Sequence, residues 1–507
     1  MNPLKKLLGQ TAVYGVSTIL ARTANYVVLV PLYTYVFLDQ AEFGINTTVY
    51  AYISLLNILL TYGFETAFFY FWSKREDKEN VYSTSLISLI ISTSVFLIAG
   101  IVFSGNIANA MDYAGQQNFI VWMVVIICSD AFMIIPFARL RSENKPGKYA
   151  LIKCTNILIN ILLNVFFIIF CKNAYEADLI SGESSFLGKI YDPSIGIGYG
   201  FLANALTNVF TLVFLFKEYT AITYHFDKKL WKSMMKYAMP LLVLGFAGMI
   251  NETFDRIILG KMLDPSIAKR DVGIYGACYK LSIIMTIFIQ AFKMAAEPFF
   301  FSTVKDKDSK KTNAQVTKYF VIFCSFIFLG TMMNIEWLKH FISEPFWKYG
   351  LFVVPILLIA NLFLGVFYNL SIWYKLTEQT KFGAYLTIVG AVITLTINFA
   401  FIPGFGFAAC AWATLISYGV MMVLSYLIGK KHYPIKYNLR SMGFFFFAAL
   451  GLYFISLLYK GRFPKWGYEV AVNNVLLLFF VWLFYILEYP NLKKKENETV
   501  SESSEQG

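Results

Sequence analysis

The sequence predicts an all-α polytopic membrane protein of about fourteen transmembrane helices, built as two pseudo-symmetric six-helix lobes plus two C-terminal helices. Three observations predict it. Hydrophobic residues fill 58% of the 507 positions and charged residues only 15%, against about 45–50% and about 25% in soluble domains. Apolar runs long enough to cross about 30 Å of hydrocarbon recur along the whole chain. A short motif returns at corresponding places in the two halves. A soluble chain with 50 Phe and 33 Tyr would lack the polar surface to cover itself.

The first run spans about residues 11–37. It follows the charged start Lys5-Lys6, but its length and the central Arg22 make it too long and too polar for a cleaved signal, so it counts as a span. The next four lie near 45–72, 81–103, 118–137 and 149–171, followed by an outer loop over about 172–195 and a sixth span at 196–216. Six more occupy about 234–262, 272–301, 316–335, 350–373, 383–402 and 406–428. The last two are near 439–459 and 468–488, and the polar tail 491–507 reads as a disordered cytoplasmic segment.

Orientation follows from the cations. Of the 43 Lys and Arg, 28 fall in loops on the side of the amino terminus, 10 on the other side and five inside spans. Cytoplasmic loops carry the excess of Lys and Arg, so both termini are expected in the cytoplasm.

The repeat is a G-[YF]-G-F-x-A-x-A string that begins at Gly198 in the sixth span and at Gly404 beside the twelfth. Likewise Phe43-Gly44-Ile45 opens the second span and Val272-Gly273-Ile274 the eighth. A duplicated six-helix unit places one lobe at 1–220, the other at 221–430 and the two added helices at 431–490. Six spans return the chain to the same side, so the lobes share orientation and leave a seam between them at mid-membrane.

Several classes of chemistry are excluded. The net charge of +12 is spread over short loops, with no polar domain to carry a basic patch, so no nucleic-acid partner is expected. No phosphate-binding G-x-x-x-x-G-K-[ST] loop occurs, so no cofactor is expected and energy would come from an H+ or Na+ gradient or the membrane potential. The six cysteines lie in or beside apolar runs and read as packing residues, and the three histidines fall in loops, so no metal site is expected. Asp192-Pro193 and Asp264-Pro265 read as loop punctuation. A glycan polymerase would want a large outer loop, and the longest here is about 24 residues, so the protein is not expected to be an enzyme.

Charges inside spans carry the functional signal, since each costs about 2.5–3.5 kcal/mol near a helix centre unless it faces water or a partner. By depth, Arg22, Glu252, Asp130 and Lys280 are central. Lys153 is close enough to the inner surface to snorkel. Glu65, Lys293 and Glu297 lie toward inner helix ends, where a gate, a structural cap and substrate contact all stay open. Glu252, Asp255 and Arg256 are spaced i, i+3, i+4 and share a helix face, either as a self-neutralising latch or as a polar wall. Arginine forks match phosphate oxygens and lysine adds a point charge. Arg22, Lys280 and Arg256 are therefore the candidate binders of an anionic substrate. Asp130, Glu252, Asp255, Glu65, Lys293 and Glu297 are the candidates for ion coupling or gating.

The sequence also resembles the polysaccharide-transport branch of the multidrug/oligosaccharidyl-lipid/polysaccharide flippase superfamily. The resemblance rests on Leu38-Asp-Gln-Ala-Glu-Phe-Gly44, on Tyr62-Gly63-Phe64-Glu65-Thr66-Ala67, and on Ala138-Arg-Leu-Arg141 with Lys145-Pro-Gly following. Tyr237-Ala-Met-Pro240, Asp255-Arg256, Val272-Gly-Ile-Tyr275 and Pro298-Phe-Phe-Phe complete it. It implies two six-helix lobes facing each other in a V, with two extra helices at the carboxyl end. It also implies a polyprenyl-pyrophosphate-linked oligosaccharide as substrate, moved from the cytoplasmic to the outer leaflet of the bacterial cytoplasmic membrane by alternating access. Membrane lipids and polysaccharide assembly proteins are the implied partners. Peptidoglycan-precursor flippases share the architecture, and Arg22 occupies a comparable first-helix place. Two alternatives on the same fold stay open, a lipid-linked peptidoglycan precursor flippase and a drug/cation antiporter. A membrane glycan polymerase is the alternative of a different class.

Overall fold

The computed structural model describes residues 23–302 and 309–490 other than 183, 221, 378, 464 and 489, without the side chains of 295, 297–299, 301 and 302. Its described elements are helical throughout. In chain order the longer ones are α1 at 23–36, α2 (Gln40–Lys74), α3 (Lys78–Val102), α4 (Gln117–Ser142), α5 (Pro146–Ser181), α6 (Gly198–Phe214) and α7 (Lys228–Met262). They continue as α8 (Pro265–Ser302), α9 (Ser309–Met333), α10 (Val353–Leu376), α11 (Lys381–Phe405), α12 (Phe407–His432), α13 (Leu439–Leu458) and α14 (Trp466–Leu487). Twelve helices among the described residues are long and apolar enough to cross a membrane, so the chain is a multi-pass membrane protein. At the sixth expected span stands the shorter apolar helix α6, and the first expected span is described only from residue 23.

Short polar side chains start five of these helices by accepting hydrogen bonds from the otherwise orphaned first backbone N–H groups. Asp39 accepts from Ala41 N at 2.8 Å, Asp77 from Asn80 N at 3.2 Å and Asn438 from Ser441 N at 3.1 Å. Asp227 accepts from Lys229 N at 2.8 Å and Leu230 N at 3.0 Å. Asp264 accepts from Ser266 N at 2.9 Å, and its cap carries α8 two turns further out than the apolar run from 272 predicts.

The expected outer loop over 172–195 is a second departure. Its first ten residues, Lys172–Ser181, continue α5 beyond a π-helical turn at Phe166–Cys171. Hydrophobicity ends there, but helix formation does not. Lys172 and Glu176 pair at 3.7 Å across one turn, and the helix stops only at Gly182, whose φ of 71° suits glycine.

The two halves meet chiefly along α2 and α8 and along α2 and α7. On the side opposite the Lys- and Arg-rich loops, α1 and the first residue of α2 are tied to the α9–α10 connection. There Ser343 Oγ donates to Thr34 O at 2.6 Å, Tyr35 OH to His340 O at 2.7 Å and Gln40 Nε2 to Pro345 O at 2.9 Å. On the Lys- and Arg-rich side the first turns of α7 pack on the first half, with Tyr237 stacked on Tyr70 at 4.4 Å and Trp231 Nε1 donating to Ser88 Oγ at 2.9 Å. Tyr62 and Gly63 break α2 at this level with φ of 36° and 71°. A Cβ on Gly63 would stand 3.2 Å from Ala238 O, so the YGFETA string makes the turn that lets the YAMP segment approach.

Candidate functional site

Between these two sets of contacts lies a cavity of about 470 Å³, within the size range of small-molecule sites. Helices from both halves wall it. From the first half come Asn25 and Tyr26 of α1, Asn46 and Tyr50 of α2, Asn160 of α5 and Asn204 of α6. The second half supplies Glu252 and Arg256 of α7 and Tyr279 and Lys280 of α8.

Arg256 is buried and held on several sides. Its guanidinium meets Asp255 Oδ1 at 2.9 Å, donates to the carbonyl of Glu252 and lies over the Tyr279 ring at 4.3 Å. Tyr275 OH donates to the other oxygen of Asp255 at 2.7 Å. Latch and wall are therefore combined on one helix: Glu252 and Arg256, a full turn apart, face the cavity, while Asp255 turns back to Tyr275. Lys280 reaches the same cavity from α8, fixed by a hydrogen bond from Tyr26 OH to its backbone carbonyl at 2.5 Å. Unlike Arg256, it has no carboxylate partner among the described residues.

The other predicted residues are distributed elsewhere. Arg22 lies outside the described residues, and the side chain of Glu297 is not described. Asp130 is central in depth but points into the first half, where it accepts from Asn208 Nδ2 at 3.0 Å and Asn57 Nδ2 at 3.3 Å. Lys153 lies over the Phe137 ring at 4.3 Å. Lys293 stands over the Tyr368 ring at 4.5 Å and lines a smaller space with Asn369 and Lys375.

Glu65 pairs with Arg141 at the Lys- and Arg-rich end. That end carries a network in which Arg139 meets Glu143 at 2.6 Å and Glu79 at 2.9 Å, and Lys148 meets Glu218 at 2.6 Å. Burial alone would raise the Glu143 carboxyl, but hydrogen bonds from Lys145 and Arg139 outweigh it and hold the group below its ordinary value. The cysteines are free, and all but Cys154 are buried. Among the described residues no group of three or more His, Cys, Asp or Glu is placed to hold a metal.

Sequence reasoning missed the neutral lining. Asn156, Asn160 and Asn164 recur every fourth residue and form one stripe along α5, of which Asn160 lines the cavity. Asn156 donates to Thr211 Oγ1 at 2.8 Å, Asn160 to Asn25 Oδ1 at 3.4 Å, and Asn164 accepts from Tyr33 OH at 2.6 Å. That period was the available signal. Gly200, from the repeated string, leaves room for this contact, since a Cβ there would stand 2.7 Å from Tyr33 OH.

Among the described residues the arrangement offers two cations, one carboxylate and a belt of amides and phenols to whatever enters. Amides and phenols hydrogen-bond to hydroxyl groups, and phenol faces pack on apolar edges. Solved structures share the fold. The lipid II flippase MurJ in an inward closed conformation is 14% identical, with a TM-score of 0.68 over 93% of this chain and 98% of that one. An inward-facing multidrug resistance MATE family transporter of the MOP superfamily is 15% identical, with a TM-score of 0.58 over 83% of this chain and 94% of that one. The MATE multidrug transporter DinF-BH is 14% identical, with a TM-score of 0.60 over 86% of this chain and 97% of that one. Among curated proteins none matches the sequence. A model of the polysaccharide biosynthesis protein family matches residues 7–304, more than half of the sequence, and the chain belongs to that family.

Proposed function

We propose that the chain is a flippase that moves a polyprenyl-pyrophosphate-linked oligosaccharide from the cytoplasmic to the outer leaflet of the bacterial cytoplasmic membrane, with both termini in the cytoplasm. The observation that carries this reading is the shared cavity in which Arg256 and Lys280 stand among asparagines and tyrosines from both halves. Lys280 and Arg256 hold the pyrophosphate, with Arg22 assigned to the same task. The amide and phenol belt takes the sugars. The tail stays in the bilayer, so neither charge nor chain crosses the wrong medium.

Alternating access needs the lobes to rock about a fixed contact, and the close crossing of α2 and α8 is the assigned pivot. Glu65 and Lys293, nearer the Lys- and Arg-rich side, are assigned to gating together with Glu297. Glu252 is the carboxylate on the cavity among the described residues and the first candidate for ion coupling, with Asp130 and Asp255 behind it. A drug/cation antiporter on this fold would favour a net acidic wall, whereas the described lining carries two cations to one carboxylate.

Proteoliposomes loaded with a labelled lipid-linked oligosaccharide test the reading. Leaflet exchange without change in sugar chain length is expected. Growth of the sugar chain would identify a polymerase, and proton- or sodium-driven uptake of an organic cation without lipid exchange would identify an antiporter.

A further inference from the structure

On the Lys- and Arg-rich side, the start of α9 and the segment joining α12 to α13 enclose a second cavity of about 480 Å³, lined by Lys310, Lys311, Lys318 and Lys436 with Gln315 and Asn438. Among the described residues one carboxylate serves it: Glu488, at the end of α14, pairs with Lys318 and accepts from Ser441 Oγ at 2.5 Å, which leaves the positive charge of the other three lysines in excess among them. Lys311 and Lys436 are exposed, and Lys310 lies over the Tyr433 ring at 4.4 Å.

Directly above is an apolar cavity of about 270 Å³ walled by Val321 of α9, Leu362 and Val366 of α10, Met422 of α12, and Met442 and Phe446 of α13. The two are stacked. Lys318 and Val321 are three residues apart on one face of α9, about 4.5 Å along the axis, and they line the lower and upper cavity respectively. The joining segment serves both as well, giving Lys436 and Asn438 to the basic cavity and Tyr437 to the apolar one, which Leu439 at the start of α13 also lines. Val423 and Leu439, on the rim, are 48% and 51% exposed, so the apolar cavity opens at the protein surface.

We propose that this is a binding site for an anionic bilayer phospholipid, with its phosphate against Lys310, Lys311 and Lys436 and an acyl chain in the space above. Basic recesses between helices on the cytoplasmic side attract anionic headgroups, each lysine near the surface contributing about a fivefold gain. An apolar recess at chain depth adds what a soluble anion could not use. The site belongs to α9, α10, α12 and α13, apart from the cavity between the halves. The lipid would bridge the last helices to the second half at the same place where Lys318 and Glu488 already do.

The full chain, reconstituted in equal parts phosphatidylcholine and phosphatidylglycerol and re-extracted in mild detergent, would be assayed by mass spectrometry for lipid that stays bound. Wild type should retain phosphatidylglycerol in clear excess over phosphatidylcholine. The K310Q/K311Q/K436Q variant should lose that excess by about tenfold or more. A triple variant of equal charge loss at the start of α7, K228Q/K229Q/K232Q, should keep it. Gly443→Phe fills the apolar cavity at a position where an added Cβ meets nothing within 4 Å, and it should reduce retention with every lysine in place. Equal loss in both lysine variants, or full retention in Gly443→Phe, would overturn the proposal. So would displacement of the lipid by glycerol 3-phosphate as readily as by added phosphatidylglycerol.

Discussion

Gly44 and Gly273, which hold corresponding positions in the two repeats, lie against each other where α2 crosses α8. A Cβ on Gly44 would stand 1.8 Å from Lys269 O and 3.2 Å from Gly273 N, and one on Gly273 would stand 1.9 Å from Gln40 O and 2.9 Å from Gly44 N. Small residues let membrane helices approach to backbone contact. The glycine that the two strings share stands on both sides of the crossing. Gly276 continues it, with Thr47 Oγ1 2.4 Å from where its Cβ would be.

Gly44→Val and Gly273→Val should each force the halves apart. Overpacking a fitted contact costs about 1–3 kcal/mol, and here the obstacle is backbone, which cannot rotate away. Both variants should unfold at lower temperature than wild type in detergent and lose leaflet exchange. Gly248→Ala, at a helical position with open space around it, should change neither.

Among the described cations on the cavity, Arg256 is paired with Asp255, whereas Lys280 has no carboxylate partner and gives its charge to a ligand undivided. Lys280→Met should slow translocation by about tenfold to a hundredfold, the value of a charge-assisted hydrogen bond of about 1.5–3 kcal/mol. Thermal unfolding should be unchanged, and Lys280→Arg should restore much of the rate. Initial rates of exchange in proteoliposomes read the difference.

Asp255 and Arg256 form a buried pair, and breaking one partner leaves the other uncompensated. Asp255→Asn should destabilise the fold by about 3–5 kcal/mol, while the double variant Asp255→Asn with Arg256→Met should recover a large part of that loss. A double-mutant cycle on thermal unfolding measures the coupling. Additive losses would mean that the two side chains do not act on each other.

Depth along a helix was legible in the sequence, and direction around it was not. Glu252 and Lys280, central by their count along the helix, meet at one cavity together with Arg256, yet Asp130, central by the same count, turns to Asn57 and Asn208 inside the first half. A count of residues from the membrane surface gives height alone. The face depends on which neighbour packs where, and an apolar span with one carboxylate states no preference. The asparagines of the lining went unread because neutral amides cost far less to bury than charges, so they raise no energetic flag in a sequence. The outer loop over 172–195 was misjudged for a related reason, since hydropathy reports where the membrane ends and not where the helix does. The glycines of the crossing were noticed as a repeat, but only the fold shows them touching.

Glu143 links the pH dependence of stability to the network on the Lys- and Arg-rich face. Its carboxyl is held below its ordinary value, so its stabilising contribution is complete above the unfolded carboxyl's pKa and is lost as pH falls through the lower folded value. Acid unfolding of wild type should therefore steepen below about pH 4. Glu143→Gln should lower stability at neutral pH and flatten that acid limb, as thermal unfolding followed across pH would record.

The cavity as host of the anionic headgroup can be probed from within. Ser54 lines the cavity, and Cys154 is the exposed native cysteine, so Ser54→Cys in a Cys154→Ser background places a reporter in the site. Alkylation of that cysteine should be slowed by the polyprenyl-pyrophosphate-linked oligosaccharide, not by the same glycan on an uncharged polyprenol, and the protection should vanish in Lys280→Met. Equal protection by both lipids, or none by either while exchange proceeds, would contradict the account.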